Sequence, residues 1–402
     1  MRPAILLSTL ALAAIKLNSV LVFAILAVST LVYAAKNGYR IKVRNPNERE
    51  SYFNSLVFST LLAFLSCFAL PKDVVYASIF LLFIHELRRD AIWNLVFYTA
   101  GSLLYFTAFY LLTPTQLDVS HIFFISLAGA LSASLVESVD TDADKRLTLL
   151  ITLSTVFTIF KLYIPNTSLL DLAMAFFVSL VISFFALRAG VADESGLMSA
   201  TLVGTTLILF TDFRFFAVLL LFYALGSAIT KYKYRVKLER GIAEQAGGAR
   251  GYANVFGNSL APLFFAIQYG VTPNSVFAAA FVAAVATALA DTMASEVGKA
   301  EERVYLITNF RRVKPGVSGG ISAKGEVACV MGVIATSALA LVLQITDLKG
   351  LMIASITAFI GVHVDSVLGA TLEERGYLTN SAVNFLSTLS AGILCYAIFS
   401  FF

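Results

Sequence analysis

Stretches of about 20 residues with almost no charge recur from end to end of this chain, each long enough to cross a hydrocarbon layer of about 30 Å as a helix. Only 13% of its 402 residues are charged, against roughly 25% in a soluble domain. The chain therefore reads as an all-α polytopic membrane protein. An excess of four positive charges, 29 Lys plus Arg less 25 Asp plus Glu, is too small for a nucleic-acid-binding domain. The same arithmetic excludes disorder and collagen. Cys67, Cys329 and Cys395 sit inside apolar runs and point to packing, not to a disulfide frame or a zinc site.

About 15 apolar segments can be placed, several too short to span unaided. Segments 74–85 and 196–210 are candidates for broken or half helices. Arg2 followed by an apolar run to Ala14 has the outline of a signal peptide, but Lys16 and an immediate second apolar stretch to Ala35 favour a first helix. Loops around 36–50, 86–90, 137–146, 188–195, 231–254, 297–325 and 370–380 hold 23 of the 29 Lys and Arg. The alternate loops, including those at 113–120 and 164–167, hold only Lys72, Arg214 and Lys349. By the positive-inside rule the charged set is cytoplasmic and the C-terminus lies outside.

Two stretches match in order and spacing. Glu50-Ser-Tyr-Phe-Asn-Ser-Leu56 parallels Asn254-Val-Phe-Gly-Asn-Ser-Leu260, and Val136-Glu-Ser138 parallels Val364-Asp-Ser366. The order predicts two parallel pseudo-repeats: a degenerate, non-catalytic repeat over 1–167, a connecting helix at 168–190 and a catalytic membrane domain over 191–402. The first copy has Glu86 near the place of Asp291, almost no loop at 86–90, and Leu149 near the place of Asn380.

The chemistry-bearing residues gather in the second copy. Asp291 follows about 15 apolar residues, where a carboxylate marks an ion or substrate site unless a neighbouring Lys simply pairs with it. Ser295 lies four residues on, on the same helical face, and Glu296 begins the exit. From Arg303 a basic loop runs through Arg311, Arg312 and Lys314 to Gly316-Val-Ser-Gly-Gly320, with Ser318 between the glycines. Glycines at 316, 319 and 320 permit positive φ and a concave array of N–H groups, and a helix starting near Ala323 would aim its positive end at the same place. The plainer alternative is a solvated loop that touches anionic lipid. No Walker run exists anywhere in the chain. Asp365 lies at a depth comparable to Asp291, and two converging acids are the usual minimum for Mg²⁺ when phosphates supply the other oxygens. His363 reads as a helix-interface residue. Asn380 and Asn384, four apart, offer amides to a ligand or cap the last helix.

Taken in order, Ala290-Asp-Thr-Met-Ala-Ser-Glu296, Lys314-Pro-Gly-Val-Ser-Gly-Gly-Ile-Ser322, Val364-Asp-Ser-Val-Leu-Gly-Ala-Thr371 and Thr379-Asn-Ser-Ala-Val-Asn-Phe385 resemble the integral-membrane family (domain of unknown function 92) that includes transmembrane protein 19 and the chloroplast phytyl-phosphate kinase. The resemblance covers roughly residues 190–402, including Thr230-Lys-Tyr-Lys-Tyr-Arg235 and Arg250-Gly-Tyr-Ala-Asn254. Departures are Met293 where the family commonly has Trp, Gly316-Val-Ser-Gly319 in place of Gly-Thr-Asn-Gly, and Asn254 and Asn258 where Asn-Gly-Gly is more usual. The first half resembles a degenerate dolichol or phytol kinase. The resemblance implies phosphoryl transfer from a nucleoside triphosphate, CTP favoured, to a polyprenyl monophosphate on the cytoplasmic side. Asp291 and Asp365 would hold Mg²⁺, Lys314 would be catalytic, and Arg303, Arg311, Arg312, Gly316, Ser318, Gly319, Gly320, Asn380 and Asn384 would bind nucleotide or phosphate. Ser295, Glu296, Asn254 and Asn258 would support them.

Two rivals stay open at this point. A cytidylyltransferase would make a CDP-lipid from the same substrates by attack at the α phosphorus. A lipid or ion transporter would need polar residues through both leaflets, whereas here they cluster towards one side.

Overall fold

The computed structural model describes residues 2–38, 40–87, 90–115, 118–163, 168–244 and 249–401. The expected loop at 164–167 and parts of those at 86–90, 113–120 and 231–254 lie outside the described residues. Helices dominate, as lipid demands of a backbone that must satisfy its own hydrogen bonds. Among the described residues, nine helices are long and apolar enough to cross a membrane.

The chain divides into two compact units, Met1–Met174 and Ala175–Phe402. The first carries α1 (Arg2–Ala13), α2 (Ser19–Asn37), α3 (Glu48–Leu65), α4 (Lys72–Phe80), α5 (Leu82–His85), α6 (Ala91–Leu112), α7 (Val119–Ser138) and α8 (Lys145–Leu162). The run at 74–85 is broken between α4 and α5 as expected, and Arg2–Ala13 is a helix. Helix α9 (Leu169–Arg188) follows. The second unit continues with α10 (Glu194–Phe210), α11 (Phe213–Thr230), α12 (Tyr234–Glu239), α13 (Tyr252–Val271), α14 (Ser275–Gly298), α15 (Ala323–Val342), α16 (Leu348–Leu368) and α17 (Asn380–Phe401). The run at 196–210 is one unbroken helix of 17 residues, not a broken one. Short polar residues start many of these helices: the side chains of Asn47, Asp193, Asn274, Ser322 and Asp347 each accept a first-turn N–H.

Packing repeats between the units. In the first, α6 packs on α7, α7 on α8, and α3 and α4 on α8; in the second, α15 packs on α16, α16 on α17, and α13 and α14 on α17. The same order of helix contacts thus recurs in both units. The units differ at their centres. Helix α14 is unbroken, and its run from Ala278 to Ala290, mostly alanine, is buried throughout. Small side chains let α15, α16 and α17 close in on it, which is how helices associate where lipid removes the hydrophobic drive.

Between α14 and α15 lies a sheet that the sequence reading treats as loop: β1 (Val304–Leu306), β2 (Arg312–Val313) and β3 (Gly320–Ile321), antiparallel in the order β2-β1-β3. Strands of two or three residues are too short to show an alternation.

Candidate active site at the ends of two buried helices

Two glycine contacts decide how the acids meet. A Cβ on Gly361 of α16 would lie 2.8 Å from Thr287 Oγ1 of α14 and 2.8 Å from Ala391 Cβ of α17, so only hydrogen fits there. On the other flank a Cβ on Gly332 of α15 would lie 2.8 Å from Ala290 Cα. Asp365 and Asp291 each stand four residues beyond the Gly361–Thr287 contact, on the same faces and about 6 Å further along the axes. Their carboxyl groups accordingly come within hydrogen-bonding reach of each other. Ser387 Oγ of α17 donates to Asp365 Oδ2 at 2.9 Å. Two carboxylates this close need a proton or a cation between them.

Both acids line a polar cavity of about 340 Å³. One wall is the backbone and side chains of Gly316 to Ser322. Gly316 and Gly319 have φ of +88° and +77°, as expected, whereas Gly320 is not left-handed. Gly319 is needed twice over, since a Cβ there would also lie 2.4 Å from the carbonyl oxygen of Ser366. That contact docks the loop on the end of α16, where the helix widens into a π turn at Gly369–Glu373. Helix α15 starts at Ala323, capped by Ser322, whose Oγ accepts from Gly325 N–H at 3.1 Å. Asn380 and Asn384 also line the cavity; Thr379 takes the capping role on α17, its Oγ1 accepting from Ala382 N–H. Asn384 Oδ1 is buried without a hydrogen-bond partner among the described residues.

The structure brings Asp291, Asp365, Gly316, Ser318, Gly319, Gly320, Asn380, Asn384, Ser295, Glu296, Asn254 and Asn258 to one cavity. It does not bring Arg303, Arg311, Arg312 or Lys314, which are exposed and outside its lining. Strand order is the reason. Strand β3 packs beside α14, and β2, which carries Arg312, is two strands away across β1, roughly 10 Å. His363 joins α16 to α15 through Glu326, 3.4 Å away, as an interface residue does.

The cations that do line the cavity are Arg250 and Lys299. Lys299 is bound between Glu296 and Glu244, at 2.7 and 2.6 Å, and Glu296 is held also by the buried Lys237. Burial presses the Lys299 ammonium down, but the two carboxylates outweigh it and raise it above the ordinary lysine range. Burial likewise pushes Glu244 up, and Lys299 outweighs it, leaving Glu244 below the usual range. Glu296 is thus the centre of a charge network that pins α14 to α12. Arg250 is different. It is 8% exposed, donates to Asn254 Oδ1 at 3.2 Å, stacks over Phe222 and Tyr223, and among the described residues forms no ion pair. Gly226 makes its room, since a Cβ there would lie 2.5 Å from Nη2. The sequence signal was present: one arginine between glycine and an Asn-bearing apolar helix.

In the first unit Glu86 and Glu137, which the motif order matches to Asp291 and Asp365, each have a partner from the chain. Arg146 Nη2 lies 2.8 Å from Glu86 Oε1, and His85 Nδ1 lies 2.7 Å from Glu137 Oε1, which also accepts from Tyr98 at 2.9 Å.

Residues 177–392 match the integral membrane protein family DUF92. The chain belongs to that family. Among its relatives, an uncharacterized membrane protein of Synechocystis sp. is 32% identical over 54% of this chain and 88% of its own length. Another from Methanocaldococcus jannaschii is 29% identical over 56% and 94%. The protein VTE6, chloroplastic, of Arabidopsis thaliana is 30% identical over 48% and 61%. No solved structure matches. The DUF92 match includes both acids, Arg250 and the glycine loop, and lies wholly outside the first unit.

Mg²⁺ fits the donor set. Among the described residues no three His, Cys, Asp or Glu side chains converge to cage a metal unaided. A cation that shares its shell with phosphates needs only one or two carboxylates. The paired Asp291 and Asp365, with the unpartnered Asn384 Oδ1 on the same cavity, meet that requirement.

Proposed function

We infer that this protein is a membrane kinase that moves the terminal phosphoryl group of a nucleoside triphosphate, CTP favoured, onto a polyprenyl monophosphate of the phytyl or geranylgeranyl type. The reading rests on one observation: two carboxyl groups from separate apolar helices meet on a polar cavity walled by a glycine-rich backbone, beside a buried arginine that has no ion-pair partner among the described residues. The kinase assignment itself comes from the motif resemblance to the phytyl-phosphate kinase.

Phosphoryl transfer asks for placement and charge neutralisation more than for covalent chemistry. Bound between Asp291 and Asp365, Mg²⁺ would neutralise the donor phosphates. Peptide N–H groups of the 316–322 wall and the positive end of α15 would receive phosphate oxygens. An oxygen of the acceptor monophosphate attacks the γ phosphorus, the bond to the β–γ bridging oxygen breaks, and the nucleoside diphosphate leaves with that electron pair. The acceptor is already an anion at neutral pH, so no strong base is required. The greasy acceptor and its anionic head suit a cavity at the end of membrane helices, and the positive charge of the flanking loops supports a mouth on the cytoplasmic side.

The test uses the purified full chain in nanodiscs with labelled CTP, Mg²⁺ and geranylgeranyl monophosphate. Formation of geranylgeranyl diphosphate and CDP is the expected result, with Asp291→Asn and Asp365→Asn each slowed at least about 100-fold while the protein stays monodisperse. Release of pyrophosphate with a CDP-lipid would assign a cytidylyltransferase instead. Undiminished turnover by either variant would remove the site.

A further inference from the structure

The second unit has another cavity, of about 430 Å³, between α9, α10 and α11. Its walls are apolar, with Ile182, Ala200, Val203, Phe216, Leu220 and Ala224 among them. A void of this size lies in the range that holds small-molecule ligands. Among its few polar side chains are Ser183, Ser227, Lys231 and Arg250. Arg250 lines this cavity as well as the polar one, so one residue borders both. Ser227 Oγ, also on the lining, is buried and has no hydrogen-bond partner among the described residues.

An arginine more than nine-tenths buried, with donors left over and no carboxylate paired to it among the described residues, is short of an anion. Such a group repays its desolvation only when an acceptor reaches it. An apolar trough on one side and a phosphate-suited cavity on the other define that acceptor: an amphiphile with a long hydrocarbon chain and a small anionic head. Fatty acids have the chain, but a carboxylate head presents one plane of two oxygens, whereas a phosphate can meet Arg250 and Ser227 and still turn an oxygen into the polar cavity.

We propose that the trough between α9, α10 and α11 holds the isoprenoid chain of the monophosphate acceptor, with Arg250 clamping its phosphate at the junction with the Asp291–Asp365 cavity. This rests on the kinase reading for the fate of the bound lipid, though binding itself does not require turnover. Gly226 and Tyr223 then act as positioning residues: one leaves space for the guanidinium, and the other supplies an aromatic face against which it lies.

Equilibrium binding of radiolabelled geranylgeranyl monophosphate to the full chain in nanodiscs, without nucleotide, tests the proposal. Wild type should bind saturably, geranylgeraniol should compete poorly, and Arg250→Gln should weaken binding at least about tenfold. Ala200→Phe, which fills the trough, should weaken it comparably, with less effect on a five-carbon acceptor phosphate. Binding of Mg²⁺-CTP should change little in Ala200→Phe. Because a bulky substitution in a packed bundle can unfold it, wild-type protein is also photolabelled with an acceptor carrying a diazirine at its chain end. Crosslinks within residues 182–228 support the assignment; crosslinks confined elsewhere overturn it. Retained affinity in both Arg250→Gln and Ala200→Phe overturns it too. The two readings fail separately: lipid binding lost in the variants with no phosphoryl transfer by wild type sinks the kinase alone, and turnover with an acceptor KM indifferent to both variants sinks the trough alone.

Discussion

The sharpest consequence of the packing concerns Gly361, which touches no candidate ligand group. In Gly361→Ala the new methyl carbon would stand 2.8 Å from both Thr287 Oγ1 and Ala391 Cβ, and 2.9 Å from Thr287 Cγ2. Ordinary carbon contacts begin near 3.5 Å, so α16 must withdraw from α14 and α17 by a fraction of an ångström to about 1 Å. Overpacking of this kind costs about 1–3 kcal/mol. The acids lie one turn further along the same two faces, so their separation grows by a similar amount. A 1 Å misplacement of reacting groups can cost about 100-fold in rate. Turnover in nanodiscs should therefore fall by about 10- to 100-fold and the Tm should drop. Thr287→Ala removes two of the three clashing atoms. The Gly361→Ala/Thr287→Ala double variant should recover part of both losses, with a coupling energy of at least about 0.5 kcal/mol in the thermodynamic cycle. Strict additivity of the two single changes, or a neutral Gly361→Ala, would refute the claim that this contact sets the distance between Asp291 and Asp365.

Other outcomes follow from the same geometry. Gly319→Ala combines a left-handed φ of +77° with a 2.4 Å clash against the Ser366 carbonyl, and should destabilise the protein by about 2 kcal/mol or more and abolish turnover; chemical denaturation and the kinase assay read the two effects. Glu86→Ala strands the buried Arg146 and should cost about 3 kcal/mol of stability while leaving acceptor KM unchanged, which thermal unfolding and kinetics on the same sample check. The Lys299–Glu244 pair has a defined pH window. The raised Lys299 contributes fully below its unfolded value of 10.5 and loses its contribution as pH rises through its folded value; the lowered Glu244 contributes above 4.5 and loses its contribution as pH falls through its own. The Tm difference between wild type and Lys299→Met should thus be flat from pH 6 to pH 9, and a slope across that range would contradict the ion-pair assignment.

Much of the second unit was legible before any coordinates. Carboxylates near the ends of long apolar runs are expensive, so Asp291 and Asp365 announce themselves, and the four-residue spacing of Asn380 and Asn384 gives their shared face. Gly316 and Gly319 take the backbone that their residue type permits. The cations were harder to place. Arg311, Arg312 and Lys314 stand beside the glycines in sequence, but a three-stranded sheet turns neighbours along the chain into opposite edges in space, and nothing in strands of two or three residues betrays that order. Arg250, about 40 residues before Asp291, does not stand out in the sequence because its importance comes from what surrounds it: aromatic faces of α11, the gap left by Gly226 and the absence of a counter-charge among the described residues. Length guided one short element and misled on the other: the run at 74–85 is split into α4 and α5 as its length suggests, whereas α10 is whole.

The fixed guanidinium of Arg146 in the first unit carries a wider implication. A half that brings its own counter-ion for Glu86 needs no cation from solution to hold that carboxylate. Its twin, with like charges face to face, is incomplete until something positive arrives, so its rigidity is rationed by the supply of that guest. Heating the protein with and without Mg²⁺ and nucleotide should therefore move the melting of one half and leave the other where it was, the mark of one braced bundle beside one that tightens only when loaded.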